Sequence, residues 1–469
     1  MSNKNKYIKL AQDTGNFAIG SFGTKLISFL FVSLYTSVLT TSEYSDAELL
    51  ITTVSLLLPV FSLDVSEAIL RFLFDKDVVK EKVYGIGFLS LVLSLILCSI
   101  ATISTGIIKP QIRWYCPFFI AIFSLAVIES LLSSITKGNG RSREFAFKGI
   151  IFSIVFVLSN IVFLTILKLG IKGYFFSYIL AYFFSSLYML LISDVFKTGF
   201  DLRIDKELTR QMLSYSIPFI PASIAWWVNG SADKYMIVWL IGSSPNGVYS
   251  VAHKIPSMVT AITGIFTQAW QLSAMRNYQD DSFSDYFSDV FEMICTILIL
   301  GGCAVFLFNK LFARLLFQKE FYDAWRYVPL LTIASIFSTL AGFLASIFTS
   351  SKKTNVLFVS TVIGAFFNIV FNYFLIIQVG VLGAALSTTL SFLVMIVVRS
   401  FTIKKYVEIK VHKFPLILSF CMLFFAALIL PYLNYKYYYI ASILLTIIVV
   451  AINYKDVLLV VKKIIREFG

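Results

Sequence analysis

The chain has 469 residues, of which 58% are hydrophobic and only 14% charged, with a formal net charge of +13. Soluble domains are about 25% charged, so this balance excludes an ordinary globular protein and makes lipid the main solvent. It also argues against a nucleic-acid binder, because the basic residues are scattered over short inter-helix segments and not gathered on one domain.

Apolar blocks of about 20 residues are the length that crosses a ~30 Å hydrocarbon layer. Such blocks recur between polar breaks and predict fourteen helices: α1 15–40, α2 47–71, α3 83–108, α4 115–137, α5 148–169, α6 172–193, α7 211–241, α8 247–272, α9 286–309, α10 325–349, α11 355–377, α12 380–402, α13 413–432 and α14 437–454. No stretch between them is long enough to bury a core of its own, so function must lie in the helices and their loops. The longest external loop is expected near Lys310–Asp323. The apolar run from Phe17 is too long for a cleavable signal and lacks a cleavage site, so α1 is expected to stay in the mature protein. With the N-terminus inside, the even-numbered loops and both termini hold about 27 of the 39 basic residues, which predicts that both ends face the cytoplasm. Cys98, Cys116, Cys295, Cys303 and Cys421 show no metal or redox spacing and read as small packing residues.

An internal repeat sets the expected architecture. Asn160-Ile161-Val162-Phe163, followed by Gly170, Gly173, Ser177 and Leu180, recurs as Asn368-Ile369-Val370-Phe371, followed by Gly380, Gly383, Ser387 and Leu390. The displacement equals six helices, an even number, so the two halves point the same way. The expectation is an all-α integral membrane protein of about fourteen transmembrane helices. Two parallel-related six-helix bundles (1–200 and 201–410) are followed by α13, α14 and a cytoplasmic tail (411–469).

Ionisable side chains inside a membrane cost about 3 kcal/mol each on insertion scales and therefore mark cavities or partners. Lys25 sits about ten residues into α1, near the midplane, on one face with Ser21, Ser28 and Tyr35. In α2, Asp64, Glu67 and Arg71 share a face near the cytoplasmic surface, as an ion pair that holds a gate or as a substrate contact. In α4, Glu129 aligns with Ser133 and Thr136, and either binds a coupling ion or pairs with a neighbouring base. Pro218 and Pro221 remove backbone donors at the start of α7 and should bend it, which makes them candidate hinge residues. Asn229 and Asp233 follow on one face, with Lys234 beside them. From His253, next to Lys254, a polar stripe runs through Ser257, Thr260, Gly264, Thr267 and Gln271. Asp233–Lys234 and His253–Lys254 read either as a structural ion-pair cluster or as part of a site. A cavity holding Lys25, Lys234 and Lys254, with Arg71 at its inner mouth, would attract phosphate or diphosphate. Carboxylates and anionic drugs satisfy the same argument. No G-x-x-x-x-G-K-[ST], H-E-x-x-H or G-x-S-x-G motif occurs, and His253 and His412 are the two histidines.

Several segments resemble the polysaccharide-transporter branch of the multidrug/oligosaccharidyl-lipid/polysaccharide exporter superfamily. They are Asn16 to Lys25, Leu34 to Tyr44, Ser66-Glu67 to Arg71-Phe72, Ser216-Ile217-Pro218 with Asp233-Lys234-Tyr235, and Gly247 to Lys254. The resemblance covers most of the chain and is weakest in α13 and α14. It implies a V-shaped pair of six-helix bundles in a bacterial cytoplasmic membrane. By alternating access, these would flip undecaprenyl-diphosphate-linked oligosaccharide units to the outer leaflet for capsule, exopolysaccharide or O-antigen. Membrane lipid and other polysaccharide assembly proteins would be its partners, and nucleic acid would not. It also implies that Lys25, Lys234 and Lys254 contact diphosphate or sugar acids and that Arg71 is an inner-mouth contact. No catalytic residue, metal or cofactor is expected beyond a coupling ion, proton or sodium, for which Glu129, Asp233 and His253 are the candidates. The competing readings are a drug or metabolite exporter of the same fold and a membrane polysaccharide polymerase. The polymerase would want a larger external loop. A major-facilitator protein would want a basic motif after α2 that 72–84 lacks.

Overall fold

The structure, a computed structural model, describes residues 29, 31–74, 78–351, 353–408, 410, 413–454 and 457–458. Among the described residues, eleven helices are long and apolar enough to cross a membrane, and they correspond to α2–α6 and α9–α14. α1 is described as a helix over Val32–Val38. The long segments of α7 and α8, Phe219–Leu240 and Lys254–Asn277, fall short of that apolarity because polar residues run through them. Helices this polar persist in a bilayer only where they face protein or water. The chain is thus an all-α, multi-pass membrane protein.

α2 differs from its predicted outline at both ends. It starts at Thr41 because Thr40 and Glu43 form a reciprocal capping box that satisfies two terminal N–H groups. It stops at Phe61 and resumes as Val65–Phe72, so the unbroken helix expected over 47–71 is two helices. Leu63 and Asp64 between them lie in the left-handed region, with φ of 51° and 50°, a conformation L-residues adopt only under constraint.

Residues 38–227 form one compact unit. Its buried core joins Val65, Ala68 and Ile69 of α2, Val83 and Tyr84 of α3, Leu131 and Ile135 of α4, Met189 of α6 and Met212 at the start of α7. Small residues let these backbones approach, as at Gly138, where an added Cβ would sit 2.7 Å from Leu73.

Residues 228–469, with the described start of the chain through Ser37, form the other unit. α9 runs from Phe283 to Leu316, so Lys310 and Arg314 lie on a helix and the expected external loop shrinks to a short 3-10 turn at Lys319–Arg326. α14 packs on α9 through polar contacts: Asn309 donates to the Tyr438 hydroxyl at 3.2 Å, and that hydroxyl donates to the Phe306 carbonyl at 2.7 Å. Lys310, 4% exposed, is held over the rings of Trp325 (4.2 Å), Tyr438 (4.4 Å) and Tyr435 (5.3 Å).

The sequence repeat is a hairpin device that recurs within each unit. Gly170 and Gly380 take φ of 57° and 66° to turn the chain into α6 and α12. Gly173 and Gly383 then admit a close backbone crossing. A Cβ at Gly173 would lie 3.1 Å from the Phe163 carbonyl oxygen, and one at Gly383 only 2.1 Å from that of Leu375. Ser177 and Ser387 donate back to the carbonyls of Gly173 and Gly383 at 2.9 and 2.7 Å. Gly383→Ala should therefore lower the thermal unfolding temperature of the detergent-solubilised protein, at a cost of about 1–3 kcal/mol. Gly301→Ala in α9, where an added Cβ meets nothing within 4 Å, should be neutral or slightly stabilising. Equal behaviour of the two would contradict the close-crossing account.

Candidate functional site

In the unit of residues 38–227, three helices converge on Glu129. Lys148 of α5 approaches its carboxylate at 3.1 Å, and the Ser185 hydroxyl of α6 donates to it at 3.0 Å. Lys148 also reaches Ser133, one turn along α4, at 3.5 Å. The alternatives for Glu129 were an ion or a neighbouring base, and in the structure Lys148 is that base. Glu67 and Arg71 lie exposed on the second segment of α2, and Asp64, half-buried, sits at its break.

The other unit holds the second cluster. Asp233 is 1% exposed, yet its carboxylate is well supplied with donors. The Tyr249 hydroxyl donates to it, Thr388 of α12 donates at 3.2 Å, and the backbone N–H of Lys234 donates at 2.9 Å. His253 Nε2 stands 3.8 Å away, with its ring edge-on to Tyr249 at 4.7 Å between centroids. A carboxylate ringed by hydroxyls, with an imidazole just beyond hydrogen-bond range, can exchange a proton after a shift of under about 1 Å. Lys234, buried, and Lys254, half-buried, are the chain neighbours of Asp233 and His253 and flank the cluster. On α8, Ser257, Thr260, Thr267 and Gln271 stay accessible, while Thr263 and Trp270 along one side of the stripe are buried. α7 stops at Ser216 and restarts at Phe219, with Pro218 in the break and Pro221 two residues into the new helix. Lys25 and His412 lie outside the described residues.

Arg399 escaped the sequence reading. On α12 and 1% exposed, it donates to Ser360 at 2.9 Å, to Thr361 at 3.0 Å and to the Ala341 carbonyl at 2.5 Å. It thereby joins α10, α11 and α12 through neutral oxygens. A lone arginine within an apolar helix was the available signal. Its partners lie 38 to 58 residues away. The same unit contains a groove of about 800 Å³ between α9, α10, α12 and α13. It is lined by apolar side chains such as Phe291, Phe337 and Phe420, with Lys404 and Glu408 also on its wall.

Membrane helices broken at prolines, paired helix hairpins and buried charge clusters define a transporter-type membrane protein. The polysaccharide biosynthesis protein family matches residues 10–271, more than half of the chain, and the chain belongs to that family. Its fold is that of flippases and exporters. The lipid II flippase MurJ, in an inward closed conformation, aligns with 94% of this chain and 99% of its own, at a TM-score of 0.66 and 12% identity. An inward-facing multidrug resistance MATE transporter of the MOP superfamily aligns with 81% of this chain and 95% of its own, at a TM-score of 0.66 and 14% identity. A MOP superfamily transporter from Pyrococcus furiosus aligns with 85% of this chain and 96% of its own, at a TM-score of 0.60 and 15% identity. No curated protein matches by sequence.

Replacing Arg399 tests its part in the site's scaffold. Arg399→Met leaves two buried hydroxyls and a carbonyl without their donors and should destabilise the protein by about 3 kcal/mol, read as a fall in thermal unfolding temperature. Arg399→Lys should recover little of it, because an ammonium cannot reproduce the guanidinium fork.

Proposed function

We propose that this protein moves undecaprenyl-diphosphate-linked oligosaccharide repeat units from the inner to the outer leaflet of a bacterial cytoplasmic membrane by alternating access of two six-helix bundles (1–200 and 201–410), with both termini cytoplasmic. Membership of the polysaccharide biosynthesis family carries this reading. It is supported by the likeness to a flippase whose name gives it a lipid-linked cargo. The groove lined by Phe291, Phe337 and Phe420 offers an apolar surface that suits a lipid tail, with Lys404 and Glu408 on its wall. In this reading Lys25, Lys234, Lys254 and Arg71 engage the anionic head group, Pro218 and Pro221 bend α7, and Asp64, Glu67 and Glu129 act as gating or coupling groups. Other polysaccharide assembly proteins act before and after it. The work is transport without covalent chemistry. The likeness to multidrug exporters supports a second reading, export of a drug or small metabolite.

Asp233 and His253 are the proposed proton-coupling pair. Transport by reconstituted protein should show a rate profile that depends on an imposed pH gradient. Asp233→Asn should flatten that profile and lower the rate, and a profile unchanged in this variant excludes the pair as the coupling site.

Deleting the gene in its host decides the cargo. The expected result is loss of surface polysaccharide with lipid-linked repeat units held on the cytoplasmic side. Wild type should rescue the defect, and well-expressed Lys25→Ala, Lys234→Ala or Lys254→Ala should not. Normal polysaccharide without accumulation, in a strain with no second flippase, moves the exporter reading to first place.

A further inference from the structure

The end of α4 and the start of α5 carry an arrangement that the flippase reading does not assign. Lys137, in the last turn of α4, places its ammonium 4.7 Å from the centre of the Phe145 ring. Lys148, one turn further along α5, places its own 4.9 Å from the same centre. The two ammonium groups are therefore no more than about 10 Å apart.

Their partners differ. Lys148 is engaged by Glu129 and Ser133. Among the described residues Lys137 has no hydrogen bond and no carboxylate within ion-pair range, although Glu67 on the neighbouring segment of α2 is within electrostatic reach. A half-buried ammonium whose three donors meet only a ring face has unused capacity for an oxygen ligand. Two neighbouring cations are held elsewhere. Arg141 pairs with Asp194 at 3.2 Å, and Lys80 donates to Asn139 at 2.9 Å. Arg71 stands on the α2 segment packed against α4.

We propose that Lys137 and Lys148, spaced by Phe145, bind the phosphoryl oxygens of a lipid diphosphate at the end of α4 and α5 that the charge bias assigns to the cytoplasm. This inference rests on the flippase reading and names the residues that receive its cargo. Two ammonium groups at this spacing bracket a diphosphate, one on each phosphoryl group, with the Phe145 ring in contact with both. Lys148 is the shared element: a phosphoryl oxygen that takes it must compete with Glu129. Binding should therefore depend in opposite directions on the lysines and on the glutamate.

The test uses the purified full-length protein and farnesyl diphosphate as the probe, with affinity measured by calorimetry. Farnesol, of the same tail without charge, and vesicles of phosphatidylglycerol and of phosphatidylcholine are the comparison ligands. The expected result is diphosphate binding that weakens about tenfold or more in Lys137→Met, tightens in Glu129→Gln, and is competed by inorganic pyrophosphate but not by farnesol. Lys137→Met removes no hydrogen bond or ion pair within 4 Å and keeps an unbranched side chain against Phe145, so it should fold as wild type. Glu129→Gln combined with Lys148→Met removes both halves of an ion pair, so loss of binding there is not ascribed to a stranded charge. Affinity unchanged in Lys137→Met, or equal affinity for phosphatidylglycerol, overturns the assignment. So does a wild type that binds no diphosphate. The repeat-unit accumulation assay judges the flippase reading separately: accumulation with unchanged binding in Lys137→Met rejects this site alone, whereas absence of accumulation rejects the cargo.

Discussion

An ionised side chain in a hydrocarbon surround must bring its own partner, and the interior of this protein meets that demand with four different devices. Glu129 has an opposite charge, Lys148, on the next helix. Asp233 has two hydroxyls and a backbone amide. Arg399 has three neutral oxygens, and Lys310 has three aromatic rings. Each device joins different helices, so the charges act as cross-links: α4 to α5 and α6, α7 to α8 and α12, α10 and α11 to α12, and α9 to α14. In a bilayer, where apolar surface supplies little drive for helices to associate with one another, such contacts and close small-residue crossings carry much of the packing specificity. The positions that would be expensive in isolation are thus the ones that fix the helix neighbours.

How much of this could be read beforehand follows from the range of each interaction. Helical spacing is local, so the chain itself reveals the apolar blocks, the G-x-x-G-x-x-x-S hairpin and the faces carrying Asp233 and the His253 stripe. The capping box at Thr40 and Glu43 was also present in the sequence, three residues apart, and would have moved the start of α2 to its observed place. The break at Leu63 and Asp64 had only a weak local sign, since Pro59 stands several residues earlier and, although aspartate tolerates positive φ, leucine does not favour it. Tertiary partners were not legible. Nothing near Glu129 marked Lys148 above other bases, and nothing near Asp233 pointed to Thr388, 155 residues away. Lys25, the residue from which the cationic cavity was first argued, lies outside the described residues, and the weight of that argument passes to Lys234 and Lys254.

The two buried acids are not interchangeable, and their surroundings say which is better suited to change charge. Protonating Glu129 would leave Lys148 with an ammonium bound only to Ser133 and the Phe145 ring, an uncompensated charge in a partly desolvated place. Asp233 has the buried Lys234 as its chain neighbour, but its direct hydrogen-bond partners are neutral groups. Tyr249 and Thr388 carry hydroxyls that accept as readily as they donate, so their hydrogen bonds can reverse direction around a neutral acid. In the proposed coupling role, His253 at 3.8 Å is the group placed to hand over the proton. Glu129 is the more costly to neutralise by protonation, and what relieves its partner instead is a second anion. An arriving phosphoryl group supplies that anion, and its departure returns Lys148 to Glu129. Under the proposed function, the proton-coupling role thus falls to one unit and the cargo-sensing role to the other, a division that follows from whether the acid's direct partners are neutral or charged.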